Sequence, residues 1–469
     1  MKRQICTTLL LLHAAALLSQ QASIKTESFT TSAEHGIVGA PVDAEWWRQF
    51  HDRELETLIV RAAKENVNLR AAISRVQQAR SNVYVARADG LPQIDASVEA
   101  SRNRTRQLAA QSPTSYEIVP VELNNFEGGV NFSWELDVFG RIRNEVRAAK
   151  FDALAADENR HDVLVSLLGD VGRYYADLRG TQLRIDIARK NIEIEQNIVE
   201  LTRSRTAAGL GTDFDVKQAE AQLDSVEAAV PPLEYTMRAD IHRLSVLTGQ
   251  EPDALTSELL ASKPLPATPP VIPVGLPSEL LKRRPDIRSA DAQLQAQMAR
   301  IGQAKADYFP RFSLTGSADR QNTQVRFLTF GASSIYSIGP TIQVPVFQGG
   351  RIRANVALQK SRAVELANSY RNTILNALEE TQNAIENYCR EQDRHEALDA
   401  SDKDQQAALE LAEVQYKAGL TNFLPVLDAE RQLYSIQDQL ATSSSMLVGD
   451  TVTIYRSLGG GWNVPSVQP

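Results

Sequence analysis

The same run of motifs occurs twice along this chain. Asn68-Leu69-Arg70-Ala71-Ala72, followed by Ala86-Arg87-Ala88-Asp89 and Pro92, returns as Asp286-Ile287-Arg288-Ser289-Ala290, Ala304-Lys305-Ala306-Asp307 and Pro310. Arg141-Ile142-Arg143 returns as Arg351-Ile352-Arg353, and Ala208-Gly209-Leu210 as Ala418-Gly419-Leu420. The early pairs lie 218 positions apart and the later ones 210, so all the change in length falls between the proline and the Arg-Ile-Arg triplet. A period this long is far beyond the roughly 20 to 50 residues of a solenoid module. It reads as the duplication of half a domain, and whatever one half builds the other builds again.

A chain of 469 residues has room for two or three ordinary domains. Its 4 Trp, 13 Phe and 12 Tyr are few for several large cores. Ala, Leu, Gln, Glu and Arg fill long tracts instead, which points to helices packed through small side chains. The net charge of −8 argues against a nucleic-acid partner, because phosphate binding needs a concentrated basic face.

Lys2 and Arg3, an apolar run from Leu9 to Leu18 and the polar Ser19-Gln20-Gln21 follow the order of a secretory leader over residues 1–22. The run is too short for a membrane-spanning helix. Of the 2 cysteines, Cys6 falls inside that leader and Cys389 would remain alone, which excludes an internal disulfide and a Cys-rich metal site. No other stretch approaches the ~18 consecutive apolar residues of a transmembrane helix. Such a chain crosses a membrane with strands or not at all.

Between Arg141 and Pro231 there is no proline, and Leu164, Leu167, Leu168, Val171, Tyr174, Tyr175 and Leu178 recur at helical spacing. The pattern predicts a helix from Ile142 to Ala208, about 100 Å long at ~1.5 Å per residue, and an equal copy from Ile352 to Ala418. Helices of that length pack as coiled-coil-like tubes or bundles rather than inside a globule. Each ends at a glycine suited to a left-handed C-cap. Return helices are expected from Phe214 to Leu247, kinked or broken at Pro231-Pro232, and from Val426 to Leu458. Thr212 or Asp213 is placed to cap the first of them. Shorter helical segments precede the long ones, from about Asp52 to Asp89 and from about Pro277 to Asp307. A proline-rich stretch joins the halves in extended form.

The remaining segments alternate. Ile94, Ala96, Val98 and Ala100 oppose Asp95, Ser97 and Glu99; Val130, Phe132, Trp134, Leu136 and Val138 oppose Asn131, Ser133, Glu135 and Asp137. In the second copy Phe312, Leu314, Gly316 and Ala318 oppose Ser313, Thr315, Ser317 and Asp319, and Ile338, Ile342, Val344 and Val346 oppose Ser337, Thr341 and Gln343. Period two over roughly 9 to 11 residues suits an outer-membrane β-strand, and a half-buried soluble sheet has the same alternation. The fold class is therefore mainly α with a four-stranded antiparallel β contribution. Four strands cannot close a barrel, an open edge is not tolerated in lipid, and barrels start at about eight strands. A membrane reading requires the barrel to be shared between copies, and a lumen requires at least three of them, with twelve strands.

Leu136-Asp137-Val138-Phe139-Gly140-Arg141, Leu247-Thr248-Gly249, Leu276-Pro277-Ser278-Glu279-Leu280-Leu281 with Arg283-Arg284-Pro285-Asp286-Ile287-Arg288, Tyr308-Phe309-Pro310, Val346-Phe347 with Gly349-Gly350, and Leu427-Asp428-Ala429-Glu430 stand in this order within the duplicated halves. With that order the chain resembles, from Trp46 to Gly461, the outer membrane factor family (TolC/OprM-like and NodT-type proteins), the trimeric exit ducts of tripartite efflux and type I secretion systems. The branch serving resistance-nodulation-division multidrug pumps is the most similar.

The resemblance implies an internally duplicated long-helix barrel joined to a shared transmembrane β-barrel. Periplasmic helices would occupy residues 46–90 and 142–249 of the first repeat and 277–307 and 352–458 of the second. Outer-membrane hairpins would occupy 91–140 and 308–350, with a linker over 250–276 and a tail over 459–469. The implied partners are two further copies, a periplasmic adaptor, an inner-membrane pump and outer-membrane lipid, with no cofactor. Val130, Phe132, Trp134, Ile342 and Val344 would meet lipid, while Asp95, Glu99, Glu135, Asp137 and Asp319 would line water. The hairpin tips Gly209-Leu210-Gly211-Thr212 and Gly419-Leu420-Thr421-Asn422 would receive the adaptor, a role compatible with plain helix capping. Many relatives carry an acylated cysteine after the leader's hydrophobic run. Here Cys6 precedes that run, so no N-terminal lipid is expected.

Glu410 and Glu413 lie one helical turn apart shortly before the second tip. They read either as an ordinary solvated face or, in three copies, as a negative ring at a closed aperture. The six histidines show no metal-ligand spacing, no serine sits in a Gly-x-Ser-x-Gly elbow, and no phosphate loop is present, so no enzyme is expected. A soluble periplasmic scaffold or adaptor is the competing reading, and a type I protein-secretion duct is another.

Overall fold

In the computed structural model, which describes residues 35–112, 115–325, 328, 331 and 333–462, the two long proline-free segments are each one helix of 67 residues, α3 (Arg141–Ala207) and α8 (Arg351–Lys417). The expected leader over 1–22 and the end of the tail lie outside the described residues. In chain order the elements before α3 are a two-residue strand β1 (Ile37–Val38), a 3-10 turn Trp46–Phe50, helices α1 (Arg53–Glu65) and α2 (Val67–Ala88), and strands β2 (Gln93–Ser112) and β3 (Ser115–Leu136). Between α3 and α8 come α4 (Asp213–Leu247), α5 (Thr256–Leu259), β4 (Ile272–Pro273), α6 (Pro277–Arg283), α7 (Pro285–Ala306), β5 (Arg311–Asn322) and β6 (Ser333–Gln343). Helix α9 (Leu424–Ser457) closes the chain.

Two compact units result. The first takes the described residues up to Ser74, Glu158–Arg288 and those from Arg371 onward; the second is Arg75–Asp157 with Ser289–Tyr370. The first unit holds the larger core. Trp46, Trp47, Phe50, Leu58, Leu164, Leu168, Tyr175, Ile241, Ile454 and Tyr455 are all buried there. Helices α3 and α9 approach closely at Gly180, where a Cβ would collide with Ser445. The proline-rich segment expected as a linker is also docked. Leu259 and Ile272 are fully buried, and β4 pairs in parallel with β1 through Ile37↔Ile272 and Val38↔Pro273.

Three other expectations are corrected in the helices. The segment from Asp52 to Asp89 is two helices, because Asn66 leaves the helical conformation, its side chain accepting from Leu69 N and donating to Leu247 O. The second short segment is likewise split at Arg284, the residue before Pro285, where the proline ring disfavours helical backbone. Of the kink or break expected at Pro231-Pro232, the break does not occur, and helix α4 continues through both prolines. Two adjacent prolines remove two backbone donors, and the buried Val226, Leu233, Met237 and Ile241 on either side hold the helix against the core.

The second unit packs its helical parts through small residues. Ala148, Ala155, Ala292, Ala296, Ala299, Ala304 and Ala363 are buried with Ile142, Ile352 and Val356. Its sheet is four-stranded and antiparallel, in the order β2-β3-β5-β6, so the duplicated hairpins lie side by side and join through β3 and β5. Strands β5 and β6 have 12 and 11 residues. Strands β2 and β3 have 20 and 22, twice the expected length. The weakly patterned residues 102–112 and 115–125 are carried along by pairing with each other, since ladder hydrogen bonds need no alternation.

Candidate functional site

Register decides which residues share a sheet face, and in this sheet it aligns the apolar ones. Ile94, Phe132, Gly316 and Ile338 are direct cross-strand partners, as are Ala96, Val130, Ala318 and Tyr336, then Trp134, Leu314 and Pro340, and finally Leu136, Phe312 and Ile342. Directly opposed residues point to the same side, so a continuous apolar face crosses all four strands. Ile94, Val130, Ile338 and Ile342 are exposed on it. The opposite face carries a hydroxyl and amide ladder: Thr315 Oγ1 lies 3.2 Å from Thr341 Oγ1, Ser317 Oγ 3.3 Å from Ser337 Oγ, and Asn131 donates to Ser97 Oγ at 3.3 Å.

Four residues expected in strands, Asp137, Val138, Val344 and Val346, lie outside them. Val344 follows the end of β6, because Pro345 has no N–H to continue the ladder. Asp137 follows β3, and its carboxylate accepts from Ile142 N at 3.1 Å and Arg143 N at 2.8 Å, capping α3 instead of lining a strand face. Glu135 is held by Arg141, whose Nε and Nη2 reach its two oxygens at 2.9 and 3.1 Å.

The two hairpin tips close in the same way. Gly209 N bonds Thr206 O at 3.0 Å and Leu210 N bonds Arg205 O at 2.9 Å; Gly419 N bonds Tyr416 O at 3.0 Å and Leu420 N bonds Gln415 O at 2.9 Å. This paired closure needs a left-handed residue, and both glycines have φ of +72°. Beyond the turn the copies differ. Thr212, not Asp213, caps α4 in a reciprocal box, with Asp215 N donating to Thr212 Oγ1 at 3.3 Å and Thr212 N to Asp215 Oδ2 at 3.0 Å. Thr421 and Asn422 lead into α9, which has no side-chain cap and begins with proline in its first turn.

The structure joins the tips to each other through Arg205. Its Nη1 donates to Tyr416 O at 3.1 Å, its guanidinium lies 4.5 Å from the Tyr416 ring centroid, and that ring packs on buried Phe423 at 5.6 Å. Leu210 and Leu420 stay outside this contact, 68% and 79% exposed, beside exposed Phe214 and Leu424. Glu410 is exposed, while Glu413 is partly buried and accepts from Lys417 Nζ at 2.7 Å, which offsets much of its charge.

A pair of carboxylates that the spacing of Glu410 and Glu413 does not reveal lies near this end of the hairpins. Glu195 of α3 is 4% exposed and Glu430 of α9 is 5% exposed, within a small core of Ile198, Val199, Ala219, Leu427 and Leu433. Burial pushes the Glu430 carboxyl up to about 9, with the charges of Glu195 and Glu413 adding to it. Burial pushes Glu195 up to about 7, against the opposing influence of Gln222 and Arg431. A signal was legible. Positions 195, 198, 199 and 202 form a buried stripe at helical spacing, as do 426, 427, 430 and 433, with a glutamate in each.

With this geometry in place, relatives identify the architecture. The outer membrane efflux protein family matches residues 58–250 and 276–460. The pyoverdine export outer membrane protein OpmQ of Pseudomonas aeruginosa is 31% identical over 420 residues, 89% of this chain and 87% of that one. The toluene efflux pump outer membrane protein TtgI of Pseudomonas putida is 32% identical over 422 residues, 88% and 87% of the two chains. The solved outer-membrane channel OprN superposes with a TM-score of 0.84 at 34% identity, covering 95% of this chain and 98% of that one. The apolar sheet face, the two long helical hairpins and these matches together place the chain in the outer membrane efflux protein family, as an outer-membrane protein.

Proposed function

We propose that three copies of this chain form a passive export duct of a tripartite efflux system, with a twelve-stranded barrel in the outer membrane and the helical hairpins in the periplasm. The observation that carries this reading is the sheet itself: an exposed apolar face on four strands whose outer members, β2 and β6, have unpaired edges in a single chain. Lipid does not tolerate open edges, and pairing β6 of one copy with β2 of the next closes both edges over the length of β6. A soluble scaffold would leave the apolar face unexplained. Energy for transport would come from an inner-membrane pump of the resistance-nodulation-division class, reached through a periplasmic adaptor. The relatives named for pyoverdine, toluene and solvent export make small molecules the expected cargo. The test is the mass of the detergent-extracted protein and its behaviour in planar bilayers. A trimer that opens pores supports the duct, and a monomer without conductance overturns it.

The exposed tip leucines are the proposed adaptor contacts, around Gly209, Gly211, Thr212, Gly419, Thr421 and Asn422. Leu210→Asp with Leu420→Asp should leave the fold intact, since both side chains are in solvent. It should weaken binding of the purified cognate adaptor by roughly thirty-fold or more, the ~2 kcal/mol typical of a lost apolar anchor. Affinity unchanged within a factor of two would place the contact elsewhere.

Glu410 and Glu413 are proposed as aperture carboxylates, with Glu410 the stronger of the two because Lys417 offsets Glu413. Replacing both with glutamine should lower the cation selectivity of reconstituted channels, most clearly at low salt where screening is weak. Selectivity equal to that of the parent would make them an ordinary solvated face.

A further inference from the structure

Glu195 and Glu430 stand on different helices, α3 and α9, and each is sealed from water by the packing of the hairpins. Both carboxylate oxygens of Glu430 and Oε2 of Glu195 have no hydrogen-bond partner. The groups facing them account for little compensation. From α4, the Gln222 amide hydrogen-bonds Glu195 and its Oε1 accepts from Arg431 Nε at 2.7 Å, so Glu195 is compensated in part while Glu430 is not. From α8, Glu413 adds like charge, and Gln405 spends its amide on Ala429 O at 3.1 Å. Arg431 of α9 acts on Glu195 but is anchored to Gln222.

Two buried carboxylates of which only Glu195 feels a cation cannot both be ionised cheaply. Like charges at close range in a medium of low polarity repel strongly, and an unpaired buried charge costs several kcal/mol. A bound metal is one remedy, but among the described residues no group of three or more His, Cys, Asp or Glu side chains is arranged to hold one. A proton is the remedy that needs no further ligand.

We propose that Glu195 and Glu430 hold a proton between them at neutral pH, and that this proton locks the return helix α9 of the second hairpin against α3 of the first. Its loss is a built-in release for the tip end of the hairpins. The sign follows from linkage. Both carboxyls bind protons more tightly in the packed state than in the open one, so the contribution is complete below the ordinary value of 4.5 and is lost as pH rises toward about 9. The protons leave in steps that belong to the pair. In any pH interval where the packed state holds one proton more than the open state, the opening equilibrium grows roughly ten-fold per pH unit. On the duct reading the tip end is tight in acid and loose in alkali, but the lock itself does not rest on that reading.

The test uses full-length protein in detergent and needs no pore. Amide hydrogen exchange is measured in α9 from Val426 to Leu433 and in α3 from Glu195 to Thr202, from about pH 6 to about pH 9.5, after correction for intrinsic rates. Protection in the parent protein should fall by roughly ten-fold per pH unit between about pH 7 and about pH 9 and level off above. In Glu430→Gln, a neutral isostere, it should stay flat above about pH 7, where Glu195 has already released its proton. Infrared difference spectra of the parent at neutral pH should show a protonated carboxyl that Glu430→Gln removes. Equal pH dependence in parent and Glu430→Gln, or no protonated carboxyl in the parent, overturns the proposal. If Glu430→Gln does not assemble, the parent's infrared spectrum decides it: a protonated carboxyl lost as pH rises toward about 9 supports the lock, and none at neutral pH overturns it.

Discussion

Replacing Trp46 with alanine is expected to lower the unfolding free energy by about 3–5 kcal/mol, the range for removing a fully packed aromatic. Trp46 is 1% exposed and sits where the chain's beginning meets its end. Its ring stacks on Tyr455 of α9 at 5.7 Å and 12°, and meets Trp47 and Phe50 edge-on at 5.7 and 6.1 Å. On its far side is Gly172 of α3, where a Cβ would come within 3.0 Å of the indole. The surrounding side chains are held by long helices and cannot collapse into the void, so the cavity term adds to the lost burial. Heat unfolding followed by far-ultraviolet circular dichroism should show the loss, with Trp46→Phe recovering part of it. A cost under about 1 kcal/mol would mean that the site repacks.

The second large effect is expected at Arg179, where replacement by methionine should also cost about 3–5 kcal/mol. This guanidinium is fully buried, lies 4.9 Å from the centroid of the Tyr175 ring and pairs with Glu54. Its Nη1 donates to Gln182 Oε1 at 2.6 Å and Ala261 O at 3.1 Å, while Tyr175 donates to Asp52 Oδ2 at 2.7 Å. It thereby ties α3 to the start of α1 and to the segment after α5. Methionine fills much of the volume but leaves Gln182 Oε1 and part of the Glu54 charge without a partner, and buried unpartnered groups are what make such losses large. Because the pair is buried, the effect should change little between low and high salt. A cost that vanishes in high salt would reassign Arg179 to a screened surface role.

Helices α3 and α8 were legible almost to the residue, because apolar spacing, the lack of proline and a terminal glycine are all local signals. The tips were legible for the same reason, since a left-handed C-cap requires glycine whatever surrounds it. The apolar positions of the sheet were readable from period two. Its order and the alignment of those positions into one face were not, because register between β3 and β5 joins residues nearly 190 positions apart.

What the sequence by itself determined is therefore the repeated half, the helices, the glycine turns and the strand alternation, each set by interactions within a few residues. Tertiary structure alone decided the rest. It kept α4 helical through Pro231-Pro232, docked the proline-rich segment through β4, extended β2 and β3 by mutual pairing, and turned Asp137 into a helix cap. It also brought Glu195 and Glu430 together with Gln222 and Arg431. The physical reason is common to all of these: each outcome depends on burial and on partners contributed by distant segments, and neither exists until the helices have packed.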